Sequence, residues 1–531
     1  MTRFTLRMLI LGWALLELGV LRAQQWTLGP GELPDPLQLD QILPVDGGSS
    51  AIAVGWTHIP EDSHKTDGVV VKVGRGGECV HRTMHVPGMW LAYKCATQLD
   101  NGNCAVFGIC EDSLSDMNDY GHYLRVDILD TLLQPVSSRQ YRVNDTLFGV
   151  FSYPISHSAM RSILTEDGTV VLVTSQSRRT SPSLPVLENC LCFYEIDTLG
   201  DTLRAKAPME GTHACVGSDI KSVTRSPGSG AMQVFLEWGN FNGNTVTGFK
   251  TVDDDFEIVG SKALHKLPGS QWMNEIIWEV RSDGRWDGDG HMIVCAEMTY
   301  ADRQRPTIYH QTLYRIDTLG HNLGELHLPP ADSSLSSPDT WNTAYVNDST
   351  IFVLNSYGVY TWDMWKRLNV TLVDKHLNLL GRKVVKPEEA GYSCGQPAVF
   401  DDGGCVFPLY NTDYNYGVGK VVNGTSLMKI ARDDIEITWD VVPDDGTSGH
   451  DGAYPNPASG VLNIPVRGVE PGVSRLRITT ADGMPCVDTP IDGTGGRIAV
   501  NVGNLDPGVY VYQVTTNGKT NAGGKFVKTR N

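Results

Sequence analysis

The stretch YEIDTLGDTL at residues 194–203 returns as YRIDTLGHNL at 314–323, identical at seven of ten positions. Each copy reads as an apolar strand ending in Asp, a tight turn, and the start of a second strand. Residues 160–176 supply the preceding half of the same plan. Ile163 and Leu164 lead into Glu166-Asp167-Gly168, and a β-branched run at 169–173 follows. Asp-Gly suits a tight hairpin because Gly accepts positive φ without a Cβ clash. β-Branched residues then fill a pleated, half-buried surface.

Seven such units can be counted. Their second strands are predicted at 51–56, 104–109, 169–173, 231–236, 292–296, 350–354 and 404–407. A spacing of roughly 50–70 residues suits one four-stranded unit with a long loop. Such a sheet cannot bury both faces alone, so the units are expected to pack radially. The sequence therefore predicts an all-β protein with a seven-bladed β-propeller over residues 24–442, in which Trp26–Leu28 completes the last blade. A row of small β-sandwiches is the competing arrangement, and the lack of linkers between units argues against it. The repeat resembles the loosely defined propellers of exported Bacteroidetes proteins, in which third strands end in Asp-x-x-Gly-x-x-Leu.

The chain has 531 residues and a formal charge of −18. Such an acidic chain repels nucleic acid and anionic membrane surfaces, so neither is an expected partner. Residues 1–23 read as a cleavable signal peptide. Arg3 and Arg7 precede an apolar run, and Leu21-Arg22-Ala23 offers a cleavage site before Gln24. No other segment is long and apolar enough to span a bilayer. Eleven cysteines fit an exported chain. Cys95 and Cys104 flank one hairpin turn and Cys394 and Cys405 another, so disulfides are expected at both, with buried thiols as the alternative.

Residues 443–453 are polar and rich in Gly and Asp, and read as a linker. Five strand-like runs follow in 454–531, which predicts an immunoglobulin-like β-sandwich. This tail resembles the type A C-terminal sorting domain of the type IX secretion system. Tyr454-Pro455-Asn456-Pro457 matches the opening motif and Asp482-Gly483 the central turn. Leu505-x-x-Gly508-Val509-Tyr510 matches the penultimate motif, and Lys525-Phe526-Val527-Lys528 the closing one. Pro485-Cys486 departs from the pattern, where the family runs straight into a strand. The resemblance implies Bacteroidetes origin, passage through the periplasm, and docking on the type IX translocon and its sortase. It implies a secreted or outer-surface destination.

Six of the twelve tryptophans fall between Trp272 and Trp365. Aromatic rings stack on sugar faces, which makes Trp286, Trp362 and Trp365 candidate ligand contacts. Packing between blades is the plainer reading. No metal or other cofactor is expected. Asp287 and Asp289 offer hard oxygen ligands to Ca²⁺, but without the spacing of an EF-hand. Asp-Ser/Thr followed by an apolar residue resembles the Bacteroidetes O-glycosylation sequon. That marks Ser113, Thr131, Thr146, Thr198, Thr202 and Thr318, although Asp-Thr also caps turns. No nucleophile elbow, Walker loop or dinucleotide fingerprint is present. The expected function is non-enzymatic binding of a glycan or protein. A polysaccharide hydrolase with its acids in the funnel, and an adhesive scaffold, are the alternatives.

Overall fold

A computed structural model describes residues 25–435 and 453–529. It leaves out 30, 35, 60–61, 113–121, 143–151, 180–186, 211–212, 215–218, 228, 240–244, 265–274, 282–284, 301–307, 329–336, 348, 359–366, 386–390 and 416–418. In the tail it leaves out 454–457, 459, 466–473, 481–484, 492–496 and 517–518. The expected signal peptide lies outside the described residues. Two compact units divide at residues 436 and 437. Among the described residues regular structure is all β apart from two single 3₁₀ turns. No described helix is long and apolar enough to cross a membrane.

The first unit is built from antiparallel sheets in sequence order. The first sheet runs through Leu37–Val45, Ser50–Ile59, Asp62–Gly74 and Cys79–Met84. The second runs through Met89–Gln98, Cys104–Asp112, His122–Leu129 and Pro135–Arg142. Four more meanders start at Ser152, Asp219, Glu275 and Ser337. The seventh sheet combines both chain ends. Gly391–Cys394, Cys405–Asn415 and Gly419–Ile430 supply three strands, and Trp26–Leu28 pairs with Leu427–Lys429 as the outermost.

Both faces of these sheets are buried, which explains the near-continuous apolar runs. In Cys104–Asp112 the residues Ala105, Phe107 and Ile109 face the third sheet, whereas Cys104, Val106 and Cys110 face the first. Side chains alternate across a strand, so one apolar run feeds two seams. Seven clusters fill the seams between consecutive sheets, and one of them joins the seventh sheet to the first through Leu427, Val406, Leu39 and Ala53. The packing order is cyclic.

Asp-led turns close one end of the second to sixth sheets. Asp197 Oδ1 accepts from Leu199 N and Asp201 N, both at 2.8 Å. Asp130, Asp253, Asp287, Asp317 and Asp374 cap their turns by the same two bonds. Gly200 has φ +87°. A Cβ there would meet Val126 Cγ1 of the second sheet at 3.3 Å. The repeated phrase is thus a turn that locks one sheet against the one before it.

The second unit has a four-stranded sheet, in the order Pro485–Pro490, Ser474–Thr480, Gly508–Thr516 and Lys519–Lys528, and a pair formed by Val461–Pro465 and Arg497–Asn501. Leu462, Ile464, Leu476, Ile478, Tyr512 and Phe526 fill one core between them. Ala453, expected at the end of the linker, already belongs to that core. Its N–H donates to Tyr512 Oη at 3.2 Å.

Candidate functional site

The first strands of neighbouring meanders pack on one another, and their ladders break at similar points. Register shifts fall at Asp40, between Leu39 and Gln41, and at Lys94, between Tyr93 and Cys95. They recur at Lys221 and Trp278. A bulge leaves backbone groups unpaired and re-aims a side chain. Neighbouring sheets satisfy those groups. Ala96 N donates to Gln41 Oε1 at 2.7 Å, Tyr410 Oη donates to Leu39 O, and Arg161 Nε donates to Lys221 O at 2.9 Å. Lys94 Nζ lies 3.1 Å from Asp40 Oδ2. Burial raises the Asp40 pKa, against the opposing pull of Lys94 and Arg161.

At the turn end of these strands lies a cavity of about 610 Å³. Gln41, Gln98, Arg285, Tyr345, Gln396 and Pro397 line it, drawn from five of the sheets. Arg285 Cζ stands 5.4 Å from the centre of the Tyr345 ring. Among the described lining residues the sole carboxylate is Asp401, held by Arg75 Nη1 at 3.2 Å. Among the described residues the lining thus sets amides, one guanidinium and one phenol among aliphatic side chains such as Leu43, Pro44 and Val346, without a facing pair of carboxylates.

A second cleft, of about 530 Å³, lies between the third and fourth sheets. Its Arg204 is committed. The guanidinium sits 4.1 Å above the Phe256 ring and bonds Glu195 at 3.0 Å.

The residues singled out from the sequence fare unevenly. Trp286 is only 9% exposed and packs with Phe235, Phe249 and Tyr314 between the fourth and fifth sheets, so it is a core residue and no platform for a ligand. Trp362 and Trp365 lie outside the described residues. Asp287, Asp289 and His291 converge closely enough to suggest a cation. Their charge is already met. Lys375 Nζ is 2.5 Å from Asp289, Arg315 Nη2 is 3.7 Å from Asp287 Oδ2, and the same Nη2 donates to His291 Nδ1 at 2.6 Å. Arg315 and Lys375 take the place a metal would need.

The expected disulfides are not formed: Cys95, Cys104, Cys394 and Cys405 are thiols. Cys95 faces the third sheet and Cys104 the first, so the sheet itself separates them. Cys394 pairs with Leu409, four residues along the strand from Cys405, a separation of about 13 Å and far beyond disulfide reach. Burial pushes the Cys95 and Cys104 thiols up to about 12, which leaves them unreactive.

Thr131 and Thr198 are exposed and Thr318 half-buried. The Thr202 hydroxyl is buried without a hydrogen-bond partner and is closed to a sugar. Ser113 and Thr146 lie outside the described residues. So do Tyr454, Pro455, Asn456, Pro457, Asp482 and Gly483. Tyr510 is buried and stacks on Phe526 at 5.4 Å, with its hydroxyl bonded to Asp506 O. Leu505 packs against the same core, Lys525 is exposed, and Lys528 sits beside Ala458 in a parallel bridge. The axial residues Asp40, Lys94 and Arg161 were missed. They stand out only once strands distant in sequence are brought side by side.

Residues 452–529 match the secretion system C-terminal sorting domain. The tail is a type IX sorting signal, and it directs export to the cell surface or beyond through the type IX machinery. No curated protein matches the chain. Among solved structures the chain is similar to polysaccharide lyase Uly1, with 11% identity over 74% of this chain and 89% of that one and a TM-score of 0.40. It is also similar to Trypanosoma rangeli sialidase, with 11% identity, 86% of each chain and a TM-score of 0.36. Penicillium chrysogenum alpha-L-arabinanase shows 14% identity over 66% of this chain and 95% of that one, with a TM-score of 0.38. At these identities and TM-scores the likenesses assign neither fold nor activity.

Proposed function

We propose that residues 24–442 are a seven-bladed β-propeller that binds a glycan chain in its axial cavity without turning it over. In this reading residues 1–23 are a signal peptide, and the chain belongs to a member of the Bacteroidetes. The immunoglobulin-like tail carries it to the outer surface or medium, with Leu505, Gly508, Tyr510, Lys525 and Lys528 in its recognition motifs. Thr131, Thr198 and Thr318 are the remaining candidates for O-glycosylation. The observation that carries the binding function is the cavity lining. The Gln396 amide and the exposed Arg285 guanidinium match the donors and acceptors of sugar hydroxyls, and the exposed Pro44 offers apolar surface to a pyranose ring. The one described carboxylate there is tied to Arg75, whereas glycosidase chemistry needs two.

The test is a glycan screen on residues 24–531, with calorimetry and product analysis on each hit. Arg285→Ala and Gln396→Ala are expected to weaken binding about tenfold each, equivalent to about 1.4 kcal/mol, with the glycan recovered intact. Cleaved product, unchanged affinity in both variants, or binding of proteins alone would overturn the reading.

A further inference from the structure

The charged residues midway along the first strands narrow the ligand class, an inference that rests on the glycan-binding reading above. Asp40, Lys94, Arg161 and Lys221 lie at or just beyond the register breaks in the first strands of four consecutive sheets. Among the described residues, Lys94 and Arg161 thus gather around the one carboxylate of Asp40, in a chain whose formal charge is −18. The Lys94 side chain is 9% exposed and answers to Asp40 alone among the described contacts. Arg161 spends Nε on Lys221 O and Nη1 on Met160 O, both neutral carbonyls, so its charge is not met by either bond. Among the described residues one carboxylate is shared by the buried Lys94 and the half-buried Arg161, which leaves positive charge over, and such charge calls for an anion.

We infer that the Lys94–Arg161 side of the axis binds the anionic group of an acidic glycan, a uronate carboxylate or a sulfate ester. An ammonium and a guanidinium supply charge-assisted hydrogen bonds to either group, and their withdrawal from bulk water strengthens the attraction. Asp40 is the built-in competitor for Lys94. The groups facing Asp40 are Lys94, Arg161, Cys95 and Tyr410. Burial raises the Asp40 pKa, so acid neutralises it ahead of an ordinary carboxyl and releases Lys94. Anion affinity therefore rises as pH falls.

Residues 24–531 are titrated calorimetrically with trigalacturonate, with a sulfated galactose trisaccharide and with neutral galactotriose. At least one acidic sugar is expected to bind ten times tighter than the neutral one, and the acidic sugar that does so identifies the group. Lys94→Gln should remove that tenfold advantage. Asp40→Asn should raise acidic-sugar affinity several-fold and flatten its dependence on pH between 7 and 5. A merely structural pair would not strengthen binding when broken, so Asp40→Asn decides the matter even if Lys94→Gln folds poorly. Equal or tighter binding of galactotriose overturns the anionic site and leaves the glycan-binding reading standing. An unchanged advantage in a folded Lys94→Gln does the same. If none of the three sugars binds and the glycan screen is also empty, both fall.

Discussion

Leu133, Phe256 and Leu377 hold positive φ, at +61°, +59° and +66°. They occupy the turn position that Gly200 and Gly320 fill in the repeated phrase. A left-handed backbone costs a residue with a Cβ about 1 kcal/mol. Burial offsets the cost, because the three side chains are only 1%, 3% and 7% exposed and plug the seams between sheets. Phe256 stacks on Phe193 at 5.4 Å and lies under Arg204. Removing a buried Phe costs about 3–4 kcal/mol. Phe256→Gly is therefore expected to destabilise the first unit by about 2–3 kcal/mol despite relieving the strain, measured by urea unfolding. Phe256→Leu keeps a plug of the kind used at 133 and 377 and should lose about 1 kcal/mol. A gain in stability from Phe256→Gly would show that strain, and not burial, governs the position. The turns themselves were legible in the sequence, since Asp and Gly announce them. These left-handed apolar residues were not, because what holds them is the neighbouring sheet.

At the scale of the element, strand order and pairing were the most legible features, and the reason is local. Each expected second strand overlaps an observed one, from Ser50–Ile59 to Cys405–Asn415, with those expected at 169, 231 and 404 starting one residue early, because turn chemistry and β-branched runs fix strands over a few residues. Which face each residue takes was less legible. Both faces are buried, so Trp286 and the cysteine pairs lacked the polar alternation that would have placed them. Contacts between elements were the least legible. Arg139 Nε reaches Asp201 of the next sheet at 2.6 Å, and Lys375 reaches Asp289 of the sheet before it at 2.5 Å. Lys72 holds Asp46 within the first sheet at 2.8 Å. These hydrogen bonds keep the Asp201, Asp289 and Asp46 carboxyls below the ordinary 3.8. Their contribution is complete above that value and disappears as pH falls through the lowered ones. Asp40 acts in the opposite sense, since a raised pKa means that its ionisation opposes folding and its protonation relieves it. The combined variant Asp46→Asn/Asp201→Asn/Asp289→Asn should therefore melt at a temperature that falls less steeply between pH 5 and pH 3 than in the parent protein. Parallel melting curves would remove these pairs from the account of acid sensitivity. Surface pairs are weak, so the difference in slope is expected to be small.

At the scale of the whole molecule, the two chain ends carry two separable jobs. The tail addresses the protein. A chain ending before Tyr454 should keep its fold and remain in the periplasm, as fractionation would report, and normal secretion of it would contradict the sorting role. The other end closes the first unit. Trp26–Leu28 is the outermost strand of the seventh sheet, and Trp26 Nε1 donates to Arg75 O of the first sheet at 2.9 Å. The same carbonyl accepts from Lys429 Nζ at 2.8 Å, and Lys429 also holds Asp402 at 2.5 Å. The Lys429 side chain is fully buried. Closure thus joins an apolar strand to a buried charge, and its two parts fail differently. Deleting residues 24–28 loses the burial of Leu28, about 2 kcal/mol, and the indole bond, about 1 kcal/mol. It also bares an edge strand, which favours association between copies. Lys429→Ala strips Asp402 of its buried partner while leaving the strand in place, and is expected to cost about 3–5 kcal/mol without exposing an edge. Light scattering alongside thermal unfolding separates the two. The truncated chain should self-associate before it melts, and Lys429→Ala should melt early as a monomer. If the truncated chain is as stable and as monomeric as the parent, the terminal strand does not close the ring of sheets.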